Sequence, residues 1–91
     1  MPFELVLPDA LRAQGWKVKI RELERLEPPH ATVIRGTRTW RFALRDARFL
    51  DRDPPEREVR AGVVDHLRAH LDELRRAWDE KYPENPVGDD R

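Results

Sequence analysis

Apolar and polar residues alternate along two stretches of the chain, and a period of two is typical of a half-buried β-strand. These stretches are residues 16–21, with sequence WKVKIR, and residues 38–45, with sequence RTWRFALR. A third β-type run, residues 30–35, precedes the second stretch across the short link Gly36-Thr37. Because a glycine-containing link between two β-type runs is typical of a hairpin, we predict an antiparallel sheet of three strands. Residues 3–7 are a candidate fourth strand at the edge.

A helical period replaces the alternation in the C-terminal half. Asp53, Pro54-Pro55 and Glu56 resemble a helix start, with a capping residue, prolines at the first positions and an acidic residue in the first turn. From there to Tyr82 the apolar residues recur at spacings of three, four or seven, which places them on one side of a helix. The pattern predicts one long helix over 55–82, and Pro83 ends it.

The helix stripe and the apolar side of the hairpin are the two apolar surfaces of the chain, so we expect them to pack together. The resulting fold class is α+β, a three- or four-stranded antiparallel sheet with one long C-terminal helix on one face. The length of 91 residues suits one domain, which we place at residues 1–82. Residues 83–91 carry little apolar surface, and we expect a mobile tail.

The composition excludes several classes of chemistry. The chain has no cysteine and no serine, which removes thiolate metal sites and the commonest nucleophiles of hydrolases. We see no secretion signal and no apolar run approaching the roughly 20 residues that cross a bilayer. We therefore expect a cytoplasmic protein with no membrane partner and no cofactor.

Charge is unevenly distributed although the net charge is zero. Residues 12–52 hold eleven basic and five acidic residues, a net of +6, whereas residues 53–91 hold seven basic and eleven acidic, a net of −4. Such asymmetry indicates an acidic partner, or else two halves that neutralise each other within the fold.

The alternating strands place their cations on the side away from the helix. This predicts one basic sheet face, formed by Lys17, Lys19, Arg21, Arg41 and Arg45. Arginine and lysine on such a face suit the phosphates of RNA or the carboxylates of an acidic protein. The alternative is a solvated surface that glutamates of the following loop partly neutralise.

His30 directly follows Pro28-Pro29 at the start of a predicted strand. Near an arginine-rich face it is a candidate general acid or base for RNA cleavage, with Arg41 or Arg45 stabilising the transition state. The alternative is a structural histidine that bonds a neighbouring loop.

His66 and His70 stand four residues apart on the predicted helix, a spacing that suits zinc. The glutamate of the H-E-x-x-H metalloprotease motif is absent, because Leu67-Arg68-Ala69 lies between them. Both histidines also fall at the margin of the apolar stripe. We therefore assign no metal site and expect no stoichiometric zinc.

The segment Leu26-Glu27-Pro28-Pro29-His30-Ala31-Thr32-Val33, followed by a hairpin and a helix ending near Trp78, resembles a family of small bacterial proteins. It is the domain-of-unknown-function family numbered four-one-six-zero, with a P-P-H-x-H-V type core. The resemblance covers roughly residues 16–80 and implies the architecture above and a role in a toxin–antitoxin pair. His30 matches the first histidine of the pattern, whereas Thr32 stands where the second would fall.

Two functions follow as hypotheses. The first is a non-enzymatic bacterial interaction module, of toxin–antitoxin type, whose basic sheet face binds RNA or an acidic protein. The second is a small ribonuclease-like toxin that uses His30 with Arg41 and Arg45.

Overall fold

In the part of the chain that the structure describes, five strands form a single antiparallel sheet in which each strand pairs with the next along the chain. The computed structural model describes residues 3–21 and 26–88. The strands are β1 (Phe3–Leu5), β2 (Trp16–Ile20), β3 (His30–Arg35), β4 (Arg38–Ala43) and β5 (Arg48–Phe49). The α+β class and the antiparallel sheet are confirmed, but the expected number of strands was too low.

The additional strand, β5, has two residues, which is too short for any periodicity to show. It pairs Phe49 with Phe42 and Arg48 with Ala43. The strand that we considered optional, β1, pairs with β2 from Phe3 opposite Ile20. Between β3 and β4, Gly36 has a φ of +63°, a backbone conformation that suits glycine. Gly36 therefore allows the tight turn that joins these two strands.

Within residues 3–21 and 26–88, three helices and one 3₁₀ turn complete the fold. They are α1 (Asp9–Ala13), the 3₁₀ turn Glu56–Glu58, α2 (Ala61–Ala69) and α3 (Leu71–Lys81). The expected single helix over 55–82 is therefore wrong in two respects, its start and its continuity. Over the two described ranges, none of the helices has the length and apolar character needed to cross a membrane.

The helix starts later than expected because Pro55, in the expected first turn, makes a tertiary contact instead. The indole N–H of Trp40 donates to the carbonyl of Pro55 at 3.1 Å, and the chain passes through a 3₁₀ turn to an extended Val59. The break between α2 and α3 lies at His70, whose φ and ψ are −113° and 26°. Hydrogen bonds from His70 N–H to the His66 carbonyl and from Leu74 N–H to the His70 carbonyl continue across it. The helical period is therefore preserved, which is why the sequence pattern did not reveal the break.

One hydrophobic core lies between the sheet and the two longer helices. Its largest buried side chains are Trp16, Ile20, Trp40, Phe42 and Leu44 from the sheet and its following loop, with Leu67, Leu74 and Trp78 from the helices. The expected packing of the helix stripe against the apolar side of the sheet is confirmed.

The C-terminal segment 83–88 packs against this core, whereas we expected the tail from residue 83 onward to be mobile. Val87 is 3% exposed and belongs to the core cluster. The carbonyl of Asn85 accepts a hydrogen bond from the Trp78 indole at 2.7 Å, and the Asn85 amide donates to the Glu27 carbonyl at 2.8 Å. Residues 89–91 lie outside the described part of the chain.

Candidate interaction surface

The side of the sheet away from the helices is the second surface that the strands present, and the strand register defines its residues. Strand register places Lys17 opposite Ile34, and Ile34 opposite Thr39. A second row runs from Lys19 through Thr32 to Arg41. We call this surface the open face and define it by Glu4, Lys17, Lys19, Thr32, Ile34, Thr39 and Arg41.

Three of the five predicted basic residues lie on or just after β2. Lys17 and Arg21 are exposed and Lys19 is half-buried. Their side chains form no ion pair with any residue in the two described ranges. Since alternate residues of a strand lie about 7 Å apart, the three cations form a line, which we call the β2 cationic row.

Arg41 is also on the open face, but two carboxylates hold it. Its guanidinium contacts both oxygens of Asp51, at 3.0 and 2.7 Å, and Oε1 of Glu27 at 3.3 Å. The hydrogen bonds from Arg41 hold the pKa of Asp51 below its usual value, and the Asp51 bonds raise the pKa of Arg41. The charge of Arg41 is therefore largely neutralised inside the molecule.

Arg45 faces the C-terminal segment. Its guanidinium donates to the carbonyls of Val87 and Pro86, the latter at 3.0 Å. Arg45 therefore ties the segment 83–88 to the end of the sheet. The five predicted cations do not form one uniform basic face, because only the β2 cationic row lacks an internal partner among the described residues.

His30 is fully buried at the end of the sheet. Its Nδ1 lies 2.9 Å from the Pro28 carbonyl, its Nε2 lies 3.8 Å from Oε1 of Glu27, and its ring is 5.6 Å from that of Trp78. A general acid or base must come within hydrogen-bonding reach of its substrate. The burial and these contacts favour the structural interpretation of His30.

Thr32 occupies the position of the second histidine in the family pattern. It is 3% exposed and pairs with Lys19 on β2 and with Arg41 on β4. Residues two apart on a strand share a side of the sheet, so the pattern would place both of its histidines on the same side of β3. In this chain that side carries one histidine, His30.

The two helix histidines lie side by side at the α2–α3 junction. Their ring centroids are 4.3 Å apart with an angle of 38° between planes. Among the described residues, no group of three or more histidine, cysteine, aspartate or glutamate side chains is placed to hold a metal ion.

The alternation puts Lys17, Lys19 and Arg41 on one side of the sheet, as the strand register has them, but it does not reveal which of these cations has an internal partner. Asp51, the main partner of Arg41, is ten residues further along the chain and belongs to no periodic pattern. Arg45 is bonded to carbonyls more than 40 residues away, and a main-chain acceptor leaves no signal in a sequence.

The chain matches no protein-family model, no curated protein and no solved structure. The resemblance to the bacterial family therefore stays a prediction.

Proposed function

We propose that this protein is a non-enzymatic interaction module whose open face binds an acidic protein. The observation that carries the proposal is the β2 cationic row, which is accessible and without an internal ion-pair partner in the described chain. A surface of this kind attracts a negatively charged partner and selects it by charge complementarity.

The apolar residues around the row favour a protein over RNA. Ile34 is half-buried in the centre of the open face, opposite Lys17 on β2 and Thr39 on β4. The aromatic side chains of the described residues are in the core or on the helix side of the sheet, so the open face offers no base-stacking platform. Cations mixed with aliphatic groups suit a protein surface that combines carboxylates with apolar side chains.

The ribonuclease alternative has less support. It requires His30 and two arginines to reach a common phosphate, yet His30 is buried, Arg41 is bonded to carboxylates and Arg45 to the C-terminal segment. A toxin–antitoxin pair, the role that the family resemblance implies, would supply a protein partner for the open face.

A charge-reversal experiment tests the proposal. The tagged chain captures proteins from an extract of its native host, and the captured protein is then purified and titrated at several salt concentrations. We expect Lys17→Glu/Lys19→Glu to lower the association rate by about tenfold or more and to remove most of its salt dependence, because charges at an interface act mainly on encounter.

The matched control is Arg60→Glu/Arg76→Glu, which makes the same change of charge at two exposed residues of the helix layer, at the start of α2 and on α3. It should leave association close to wild type. Equal effects of the two double variants would contradict the assignment of the surface. If the chain instead captures nucleic acid, and nuclease treatment abolishes this capture, the partner is RNA and the proposal of a protein partner is wrong.

A further inference from the structure

The histidine pair at the α2–α3 junction has features that the sequence spacing alone did not show. His66 is half-buried at the end of α2, and His70 occupies the break between the helices with 40% of its side chain exposed. Both rings are thus partly accessible, and they contact each other.

The outward partners of the two rings determine which nitrogens carry hydrogen. Nε2 of His66 lies 3.0 Å from the carbonyl oxygen of Val6, which can only accept, so Nε2 is the protonated nitrogen of the neutral ring. Nδ1 of His70 lies 3.4 Å from Oε1 of Glu73, a carboxylate that likewise favours a proton on the facing nitrogen. The lone pairs of the neutral rings are therefore on Nδ1 of His66 and Nε2 of His70.

The outward contacts of the two rings are of the kind that metal-binding histidines make. A histidine ligand normally donates its second ring N–H to a carbonyl or a carboxylate, which sets the tautomer and raises the basicity of the ligating nitrogen. Here one histidine has a carbonyl partner and the other a carboxylate partner.

From these contacts we infer that His66 and His70 form a two-imidazole site for a divalent transition-metal ion, with water completing the coordination. Imidazole suits Zn²⁺, Ni²⁺ and Cu²⁺, and affinity for such donors is highest for Cu²⁺. With no third protein ligand in the described chain, the site binds metal reversibly, so it does not retain stoichiometric zinc through purification. Its assignment is independent of the open face.

A copper titration of the full-length protein, after treatment with a chelator, tests this inference. Paramagnetic resonance of the protein with one equivalent of Cu²⁺ should show coupling to two imidazole nitrogens. We expect His66→Gln and His70→Ala each to weaken binding by at least about tenfold. The glutamine at residue 66 retains an N–H for the Val6 carbonyl, so the fold is preserved while the ligand nitrogen is lost. A melting curve verifies folding of each variant.

Two carboxylate variants separate orientation from general electrostatics. Glu73→Gln removes the partner of His70 and should weaken copper binding by about tenfold. Asp72→Asn removes the same charge from the neighbouring exposed residue and should leave binding nearly unchanged. Copper bound as tightly by His66→Gln and His70→Ala as by wild type, or coupling to fewer than two imidazole nitrogens, would overturn the site. Equal effects of the two carboxylate variants would overturn the role of Glu73.

Discussion

Trp78 links three parts of the molecule through one side chain. It is fully buried, its ring is 4.3 Å from that of Tyr82 and 5.6 Å from that of His30, and its indole N–H donates to the Asn85 carbonyl. The helical period predicted the burial. The hydrogen bond depends on where the chain returns after α3, which no period indicates.

We predict that Trp78→Ala lowers the free energy of unfolding by about 3–5 kcal/mol, as expected for removal of a buried aromatic ring. Because domains of this size are stable by only about 5–15 kcal/mol, the variant should be unfolded or molten near 37 °C. Thermal melting followed by near-ultraviolet circular dichroism measures this. Trp78→Phe keeps a ring and loses the N–H, so it should lose less stability. A cooperative melt of Trp78→Ala close to that of wild type would contradict the core role.

At the scale of elements, two glycines differ in what limits the substitution of a larger residue. Gly62, the second residue of α2, faces Leu11 of α1. A Cβ built there would lie 3.7 Å from both methyl carbons of Leu11, an ordinary contact distance. Gly36, in contrast, has open space around it but a positive φ. A substitution at Gly62 therefore tests the steric space around the residue, whereas a substitution at Gly36 tests backbone strain.

Substitution of each glycine by alanine should change stability in opposite directions. Gly62→Ala should raise the free energy of unfolding by about 0.5–1 kcal/mol, because alanine loses less backbone freedom in a helix. This corresponds to a rise in Tm of about 2–8 °C for a domain of this length. Gly36→Ala should lower stability by about 1–2 kcal/mol, since an L-residue is strained in the left-handed region. Chemical denaturation measures both changes, and a loss of stability in Gly62→Ala would show that α1 and α2 are packed more tightly than the structure indicates.

At the scale of the whole molecule, the C-terminal segment closes one end of the sheet. Arg45 donates to two of its carbonyls, Asn85 bonds the loop that precedes β3, and Val87 enters the core. The buried His30 and the Arg41 ion pairs lie near the same loop through Glu27. Polar contacts hold this end of the molecule together and engage Arg41 and Arg45, so that the accessible cations of the predicted basic face are those of β2.

A pair of valine variants tests the packing of this segment. Val87→Ala should lower the free energy of unfolding by about 1.5 kcal/mol, the value for two buried methylene equivalents. Val6→Ala makes the same chemical change at a side chain that is 68% exposed and should shift stability by no more than about 0.5 kcal/mol. Equal, small effects in urea unfolding would indicate that the segment 83–88 is mobile in solution, as the composition suggested.

The sequence by itself determined the three central strands, the helical stripe and the common side of the sheet for Lys17, Lys19 and Arg41. Periods of two and 3.6 residues follow from backbone geometry, so residues 16–21 and 38–45 could be placed before any contact was known. Strand β5, by contrast, is too short to carry a period. The break at His70 leaves the helical period intact.

The tertiary structure alone decided which of the predicted site residues are accessible. Lys17 on β2 and Arg41 on β4 both point to the open face, yet only Arg41 contacts the carboxylates of Asp51 and Glu27. Arg45 and His30 likewise meet groups from distant segments, the carbonyl of Val87 for Arg45 and the ring of Trp78 for His30. Such contacts depend on where remote parts of the chain meet. Periodicity indicates on which side of its own strand or helix a side chain lies. It contains no information about which remote segments of the chain pack beside that side chain.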